Sequence, residues 1–142
     1  NYSVNTRLQE YQIPIETIHD GSFLSPEVLS VPLNSFANEP FIILRSDNDT
    51  GKRALTICQE NNFTPHTIFR LDQQMTAYNI ACSGMGITFI GDLLLASAPA
   101  TSELIFYKLP GKNCNRNVSF YWKKGRYISR AMEEFLKIAL PQ

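Results

Sequence analysis

Two short polar stretches, residues 46–50 and 72–74, could bind a small ligand because each follows an apolar segment that is typical of a buried strand. Each stretch stands where a helix is predicted to begin, so unpaired backbone N–H groups and the positive end of a helix dipole would face the ligand. Such helix starts favour a small anion or a carboxylate. Asp47, Asn48 and Asp49 are candidate caps of the first helix, and Asp72 is the candidate cap of the second. Plain capping by Asp49 and Asp72 explains the same residues, and both interpretations stay open.

Patterns for catalysis or metal binding are missing from the sequence. His19 and His66 lie far apart, with no cysteine or acid at metal-ligand spacing. There is no G-x-S-x-G elbow, Walker loop or Rossmann glycine fingerprint, and the glycine pair Gly84 and Gly86 follows a predicted helix instead of a strand. The basic run at residues 123–126 is interpreted as a solvated turn or, alternatively, a phosphate or partner contact. The sequence therefore predicts no metal, no cofactor and no enzyme.

The elements that position the two polar stretches follow from hydrophobic periodicity. Residues 41–44, 67–71 and 87–90 read as strands, and residues 50–61 and 73–83 have helical spacing between them. This β-α-β-α-β order predicts parallel strands, and open parallel sheets bind ligands at the carboxyl ends of their strands. Elsewhere, residues 8–18 read as extended chain, 91–98 as a short helix, and 104–109 and 117–123 as strands. Residues 127–140 read as the final helical segment, with Ser129 as the cap of the helix.

Composition describes one ordinary globular domain of 142 residues, with 44% hydrophobic and 18% charged residues. The 13 basic and 13 acidic residues cancel, so there is no electrostatic reason to expect direct binding to nucleic acid. No apolar run is long enough for a membrane span, and the first ten residues have no signal-peptide core. Three cysteines, an odd number, favour reduced thiols and a cytoplasmic location.

Four motifs resemble the effector-binding domain of LysR-type transcriptional regulators. Residues 31–42 (VPLNSFANEPFI) are similar to the family's v-s-L-x-d-L-a-x-e-P-f-i segment, and residues 62–65 (NFTP) to its g-F-x-P turn. Residues 81–87 (ACSGMGI) resemble V-x-a-G-l-G-i, and residues 121–135 resemble the closing y-x-K-x-r-x-l-S-x-a-x-x-x-F pattern. Their order and spacing over residues 10–140 carry the resemblance, although Gly91 and Asp92 stand where the family usually has proline.

The resemblance implies an α/β fold, a periplasmic-binding-protein-like lobe with a mostly parallel central sheet flanked by helices. Residues 14–108 would form lobe two, and residues 1–13 and 109–142 the hinge and the returning part of lobe one. The helix-turn-helix and the first half of lobe one would then be missing. The final helix would turn its face of Ala131, Phe135 and Ile138 toward the missing lobe, so part of that face should be exposed.

The function implied is that of a ligand sensor. A small polar or anionic effector would bind between the lobes and control a homodimer or higher oligomer, which contacts DNA only through the absent domain and has no membrane partner. Arg45 would pair with a carboxylate of the effector, or would simply be a surface residue at a strand end. The expected effector contacts are Arg45, Ser46, Asn48, Thr50, Asp72, Gln73 and Gln74.

Two other functional classes stay open. A solute-binding domain of a transport system would have the same lobe architecture, and an upstream signal peptide would favour it. An enzyme would require a cleft with paired acids and perturbed pKa values.

Overall fold

The computed structural model describes residues 2–98, 101–111, 114–115 and 119–139. Its strands are β1 (Gln12–Ile13), β2 (Pro40–Leu44), β3 (His66–Leu71), β4 (Ile87–Thr88) and β5 (Phe106–Tyr107). Its α-helices are α1 (Val4–Arg7), α2 (Ile15–His19), α3 (Asp49–Glu60), α4 (Gln74–Cys82), α5 (Asp92–Leu95) and α6 (Arg130–Ala139). Three short 3-10 helices lie at Gln9–Tyr11, Ser22–Leu24 and Leu33–Phe36 among the described residues.

The central sheet contains three parallel strands in the order β3-β2-β4. Phe41 aligns with Ile87, and Leu44 at the end of β2 aligns with Leu71 at the end of β3. The β-α-β-α-β prediction is therefore confirmed, including the parallel direction of all three strands. A second, two-stranded sheet pairs β1 with β5 in antiparallel fashion.

The two helices that connect the strands cover opposite faces of the central sheet. Side chains along a strand point alternately to its two faces. Phe41 and Ile43 of β2 pack in one cluster with Ala54 and Ile57 of α3. Ile42 and Leu44 pack in another with Ala77 and Ala81 of α4. The result is a three-layer α/β/α core around β2, whose residues 41–44 are all buried.

The amino-terminal segment is helical where the sequence predicted extended chain at residues 8–18. The apolar spacing that decides the structure is helical, because Val4 and Leu8 are one turn apart and both are buried. Pro14 has extended backbone angles and directly precedes α2, in which Ile18 is buried. Only Gln12–Ile13 forms a strand here.

The predicted elements after α4 are shorter in the structure. Strand pairing covers two residues in β4 and two in β5, instead of residues 87–90 and 104–109. Residues 119–123 form no strand, and Asn117 and Val118 lie outside the described residues. The final helix begins at Arg130, directly after the predicted cap Ser129, whose hydroxyl oxygen accepts a hydrogen bond from the N–H of Met132 at 3.3 Å. Leu140 lies outside the described part of the chain.

The apolar face of α6 is largely uncovered. Phe135 is 53% exposed and Ile138 is 87% exposed, and Phe135 contacts Phe120 edge to face at 5.4 Å between ring centroids. The expectation that part of this face is exposed is confirmed. Across the described residues, each helix is too short or too polar to cross a membrane.

Candidate functional site

The two predicted polar stretches lie side by side at one edge of the central sheet. The last residues of β2 and β3 are paired, and the backbone N–H of Arg45 donates to the carbonyl oxygen of Leu71 at 2.8 Å. Arg45 and Asp72 are consequently neighbours, with Nε of the guanidinium 3.6 Å from a carboxylate oxygen. The side chains are 59% and 74% exposed, so a ligand can reach both charges.

The chain leaves β2 and β3 toward opposite faces of the sheet. The connection after β2 leads to α3 on one face, and the connection after β3 leads to α4 on the other. Ligands of open α/β sheets bind outside the carboxyl ends of the strands, which is the edge of the sheet where both connections leave it. We use the name crevice for the surface between the ends of β2 and β3, where Arg45 and Asp72 lie.

The start of α3 is held tightly against the end of β2. Asn48 is the N-cap, and its side-chain oxygen accepts a hydrogen bond from the N–H of Gly51 at 2.8 Å. Gly51 is buried, and a Cβ there would overlap the backbone carbonyl groups of Leu44 and Arg45. Only glycine permits this approach, which brings the first turn of the helix to the crevice.

One of the three predicted candidate caps, Asn48, caps α3, whereas capping at α4 differs from the sequence prediction. Asp49 is the first residue of α3 instead of its cap, and it forms an ion pair with Arg53 at 3.1 Å. Helix α4 begins at Gln74 with Gln73 at the N-cap position, so Asp72 lies one residue too early to cap it. The side chain of Gln73 makes no capping hydrogen bond. Neither aspartate therefore neutralises its helix start in the predicted way.

The seven predicted contact residues remain accessible to a ligand. Asn48, Thr50 and Gln74 are half-buried, and the others are exposed: Arg45, Ser46, Asp72 and Gln73. The side-chain oxygen of Asn48 is already engaged by the cap. The structure thus places all seven residues at the adjoining ends of β2 and β3.

The predicted set of contact residues has no member from the end of the third strand, although the sequence reasoning named all three strand ends as candidate positions. β4 is parallel to β2, so the segment after Thr88 emerges at the same edge, and α5 begins there with the exposed residue Asp92. The signal was present in the sequence, since Asp92 follows the third predicted strand as Asp72 follows the second. Asp92 adds a further negative charge to this edge of the sheet.

The side chains at the strand ends are amide, hydroxyl and charged groups, which can bind a ligand through hydrogen bonds and ion pairs. Within the described part of the chain, no group of three or more His, Cys, Asp or Glu side chains is arranged to hold a metal ion. The thiol of Cys58 is buried, and burial raises its pKa to about 12. Burial also raises the pKa of Cys114. Thiols of this kind stay protonated at neutral pH and are poor nucleophiles.

Comparison with known proteins identifies related sequences. Residues 23–142 match the model of a family described as the LysR substrate binding domain. The chain is 26% identical over 110 residues to the uncharacterized HTH-type transcriptional regulator YcgK of Bacillus subtilis (strain 168), covering 77% of this chain and 33% of that protein. It is also 26% identical over 106 residues to the uncharacterized HTH-type transcriptional regulator YybE of the same organism, covering 75% of this chain and 35% of that protein.

The chain thus spans about a third of the length of the curated relatives that it matches. No solved structure gives a significant match.

Proposed function

This chain belongs to the LysR substrate binding domain family, and from that membership we propose that it is the effector-sensing part of a transcriptional regulator. The fold of the family is periplasmic-binding-protein-like, and the parallel sheet with a helix layer on each face agrees with it. Both curated relatives are described as HTH-type regulators. A binding role fits the site better than catalysis, since the family is one of regulators and not of enzymes.

The observation that carries the proposal is the crevice between the ends of β2 and β3. Helices α3 and α4 begin shortly after these strand ends, and the residues that connect strand to helix carry amide, hydroxyl and charged side chains, among them the Arg45–Asp72 pair. Backbone N–H groups and adaptable Gln and Asn side chains suit a small polar metabolite. We assign effector contacts to Arg45, Ser46, Asn48, Thr50, Asp72, Gln73 and Gln74.

The proposed mechanism is a shift between open and closed arrangements of two lobes. Residues 14–108 form one lobe, and residues 1–13 and 109–142 belong to the hinge and to the other lobe. An effector that contacts both lobes favours the closed arrangement by its difference in affinity for the two states. Closure then changes how a dimer or higher oligomer presents its helix-turn-helix regions to DNA in the cytoplasm.

The exposed face of α6 supports this division of the chain. Phe135 and Ile138 would be covered by the remainder of lobe one in a longer regulator. Phe135→Ala in the 142-residue chain should lower the free energy of unfolding by less than about 1 kcal/mol, because the ring is half-exposed. In the two-lobe domain the same substitution should cost about 3–5 kcal/mol, the range for a buried phenylalanine. If Phe135→Ala lowered the free energy of unfolding by the same small amount in the 142-residue chain and in the two-lobe domain, the assignment of α6 to the other lobe would be contradicted.

The direct test of the site uses a two-lobe domain and its effector, identified by screening polar metabolites. Gln73→Ala and Ser46→Ala should each weaken binding by about 0.5–1.5 kcal/mol in calorimetry, the usual contribution of one hydrogen bond. Thr56→Ala is the matched control, because Thr56 is exposed on α3 and its hydroxyl donates to the carbonyl of Lys52 within the helix. Unchanged affinity in both site variants, with the fold intact, would place the site elsewhere.

A solute-binding domain of a transport system would share this architecture. The two curated relatives are both described as transcriptional regulators, and this favours regulation.

A further inference from the structure

The electrostatics of the strand-end crevice restrict the charge of its ligand. Arg45 is the cation at the adjoining ends of β2 and β3, and its guanidinium lies 3.6 Å from Asp72. Further acids follow the strand ends: Asp47 and Asp49 come after β2, and Asp92 comes after β4. The nearby cations of α3 are Lys52 in its first turn and Arg53, which is paired with Asp49. Arg70 is a further exposed cation on β3, one residue before Leu71, so acids and bases around these strand ends are equal in number, four of each.

A ligand that carries only an acid group is poorly matched to this arrangement. To bind Arg45, such a ligand would have to separate the guanidinium from Asp72. The Asp72 carboxylate would then have no cation and would lie beside the negative charge of the ligand. Like charges at such short distance repel, even when they are partly solvated. The loss of one attraction and the addition of one repulsion both weaken binding.

A ligand with both charges avoids this loss. Its carboxylate can take the place of Asp72 at the guanidinium of Arg45, and its cationic nitrogen can take the place of Arg45 at Asp72. One ion pair within the protein is then exchanged for two ion pairs with the ligand, and every charge keeps a partner. The side chains need no new burial for this exchange, since both are already more than half exposed.

We infer that the effector carries a cationic nitrogen next to its acid group, so that the crevice selects zwitterions of the amino-acid type over simple carboxylates. This inference rests on the proposed function, because it concerns the ligand of the same site. It narrows the effector from any polar or anionic metabolite to one chemical class. Asp72 becomes a specificity-determining residue in this account.

The test compares three probes on the 142-residue chain: glycine, acetate and methylammonium. Backbone amide shifts of the ¹⁵N-labelled protein are followed by NMR at pH 7 and constant ionic strength. Glycine should shift the amides around Arg45, Asp72 and Gln74 with a midpoint about threefold or more below that of acetate, since an exposed charge contact changes affinity by up to about fivefold. Methylammonium should also bind more weakly than glycine, because it has no group for Arg45.

Two variants make the comparison specific. Asp72→Asn removes the carboxylate that pairs with the cationic nitrogen of glycine. It also removes the negative charge that repels acetate, so acetate should bind to this variant as well as glycine does, or better. Thr56→Ala, on the exposed side of α3, should keep the preference of the unmodified chain.

Two other outcomes are informative, one against the preference for zwitterions alone and one against the binding site itself. Acetate that binds as tightly as glycine to the unmodified chain, with shifts at the strand ends, would overturn the inference and leave the proposed site intact. Shifts confined to another surface, or no shift at the strand ends with any probe, would overturn both.

Discussion

Gly51→Ala should destabilise the protein although alanine is the better helix former. Gly51 lies in the first turn of α3, where a Cβ would be 2.7 Å from the carbonyl carbon of Leu44 and closer still to the carbonyl oxygens of Leu44 and Arg45. These atoms belong to the backbone of the central strand and its end, so they cannot rotate away as a side chain would. The helix must move outward instead, and the hydrogen bond from Gly51 to Asn48 is disturbed with it.

Two opposing contributions set the magnitude. Alanine in a helix is favoured over glycine by about 1 kcal/mol. Inserting a methyl group into a closely packed site costs typically about 1–3 kcal/mol and occasionally more. The overlap here involves three backbone atoms, so the cost should be at or above the upper end of that range. We expect a net loss of about 2–3 kcal/mol in the free energy of unfolding.

Urea denaturation, monitored by circular dichroism, measures this loss. An unchanged m-value would show that the variant and the unmodified chain expose the same surface on unfolding, so that their free energies can be compared. Gly91→Ala is the control, because no atom lies within 4 Å of a Cβ at Gly91 and its φ is negative. That variant loses only the N-cap preference of glycine at α5, roughly 0.5–1 kcal/mol. Ordinary surface substitutions change the free energy of unfolding by about 0.5 kcal/mol or less. A change no larger than about this for Gly51→Ala would refute the close contact between α3 and β2.

Two further predictions concern the cap of α3 and a buried thiol. Asn48→Ala should lower the free energy of unfolding by about 1 kcal/mol through loss of the bond to Gly51, whereas Asn48→Asp should keep most of it; urea midpoints for the two variants decide this. Burial raises the pKa of Cys58 to about 12, so above about pH 9 the unfolded chain loses this proton before the folded one does. Stability should therefore fall as the pH rises from 9 toward 12, by up to about 1.4 kcal/mol per pH unit from this thiol, and Cys58→Ala should remove that part of the slope. Identical pH profiles for the two proteins would mean that Cys58 is not buried as described.

The central sheet and its two connecting helices could be predicted from sequence, because the hydrophobic patterns that specify them are local and agree with one another. Residues 41–44 are apolar without interruption, as a strand covered on both faces requires, and all four are buried. The helical spacing of Ala54, Ile57 and Cys58 gave α3 within one residue of its observed ends. Parallel direction then followed from the alternation of strands and helices, because parallel strands need a crossover connection.

Elements that depend on a distant partner were predicted less well. Residues 117–123 alternate as a strand does, yet 119–123 are unpaired, since alternation alone does not supply a neighbouring strand. The amino-terminal segment was misread because apolar residues at 11, 13 and 15 suggested a period of two. The burial of Val4, Leu8 and Ile18 shows that helical contacts prevail there.

The position of the candidate site followed from the strand ends, but its electrostatics required coordinates. From sequence alone, the two helix starts suggested a polar or anionic ligand, with Arg45 as a partner for its carboxylate and Asp72 as a helix cap in the competing interpretation. The structure pairs these two side chains and moves the cap position to Gln73. Because Asp72 is paired with Arg45, the site is expected to prefer a ligand that carries both charges over a simple anion.

The exposure of the Arg45–Asp72 pair limits how strongly a single lobe can discriminate between ligands. An ion pair in contact with water contributes only about 0.2–1 kcal/mol, and salt screens it further. Covering the crevice with a second lobe would lower the local dielectric and strengthen each charge interaction with the ligand. The same two residues should therefore distinguish glycine from acetate modestly in the 142-residue chain and more strongly in a two-lobe domain. A preference that did not increase on adding the second lobe would mean that the effector is held outside the crevice, on a surface that closure does not cover.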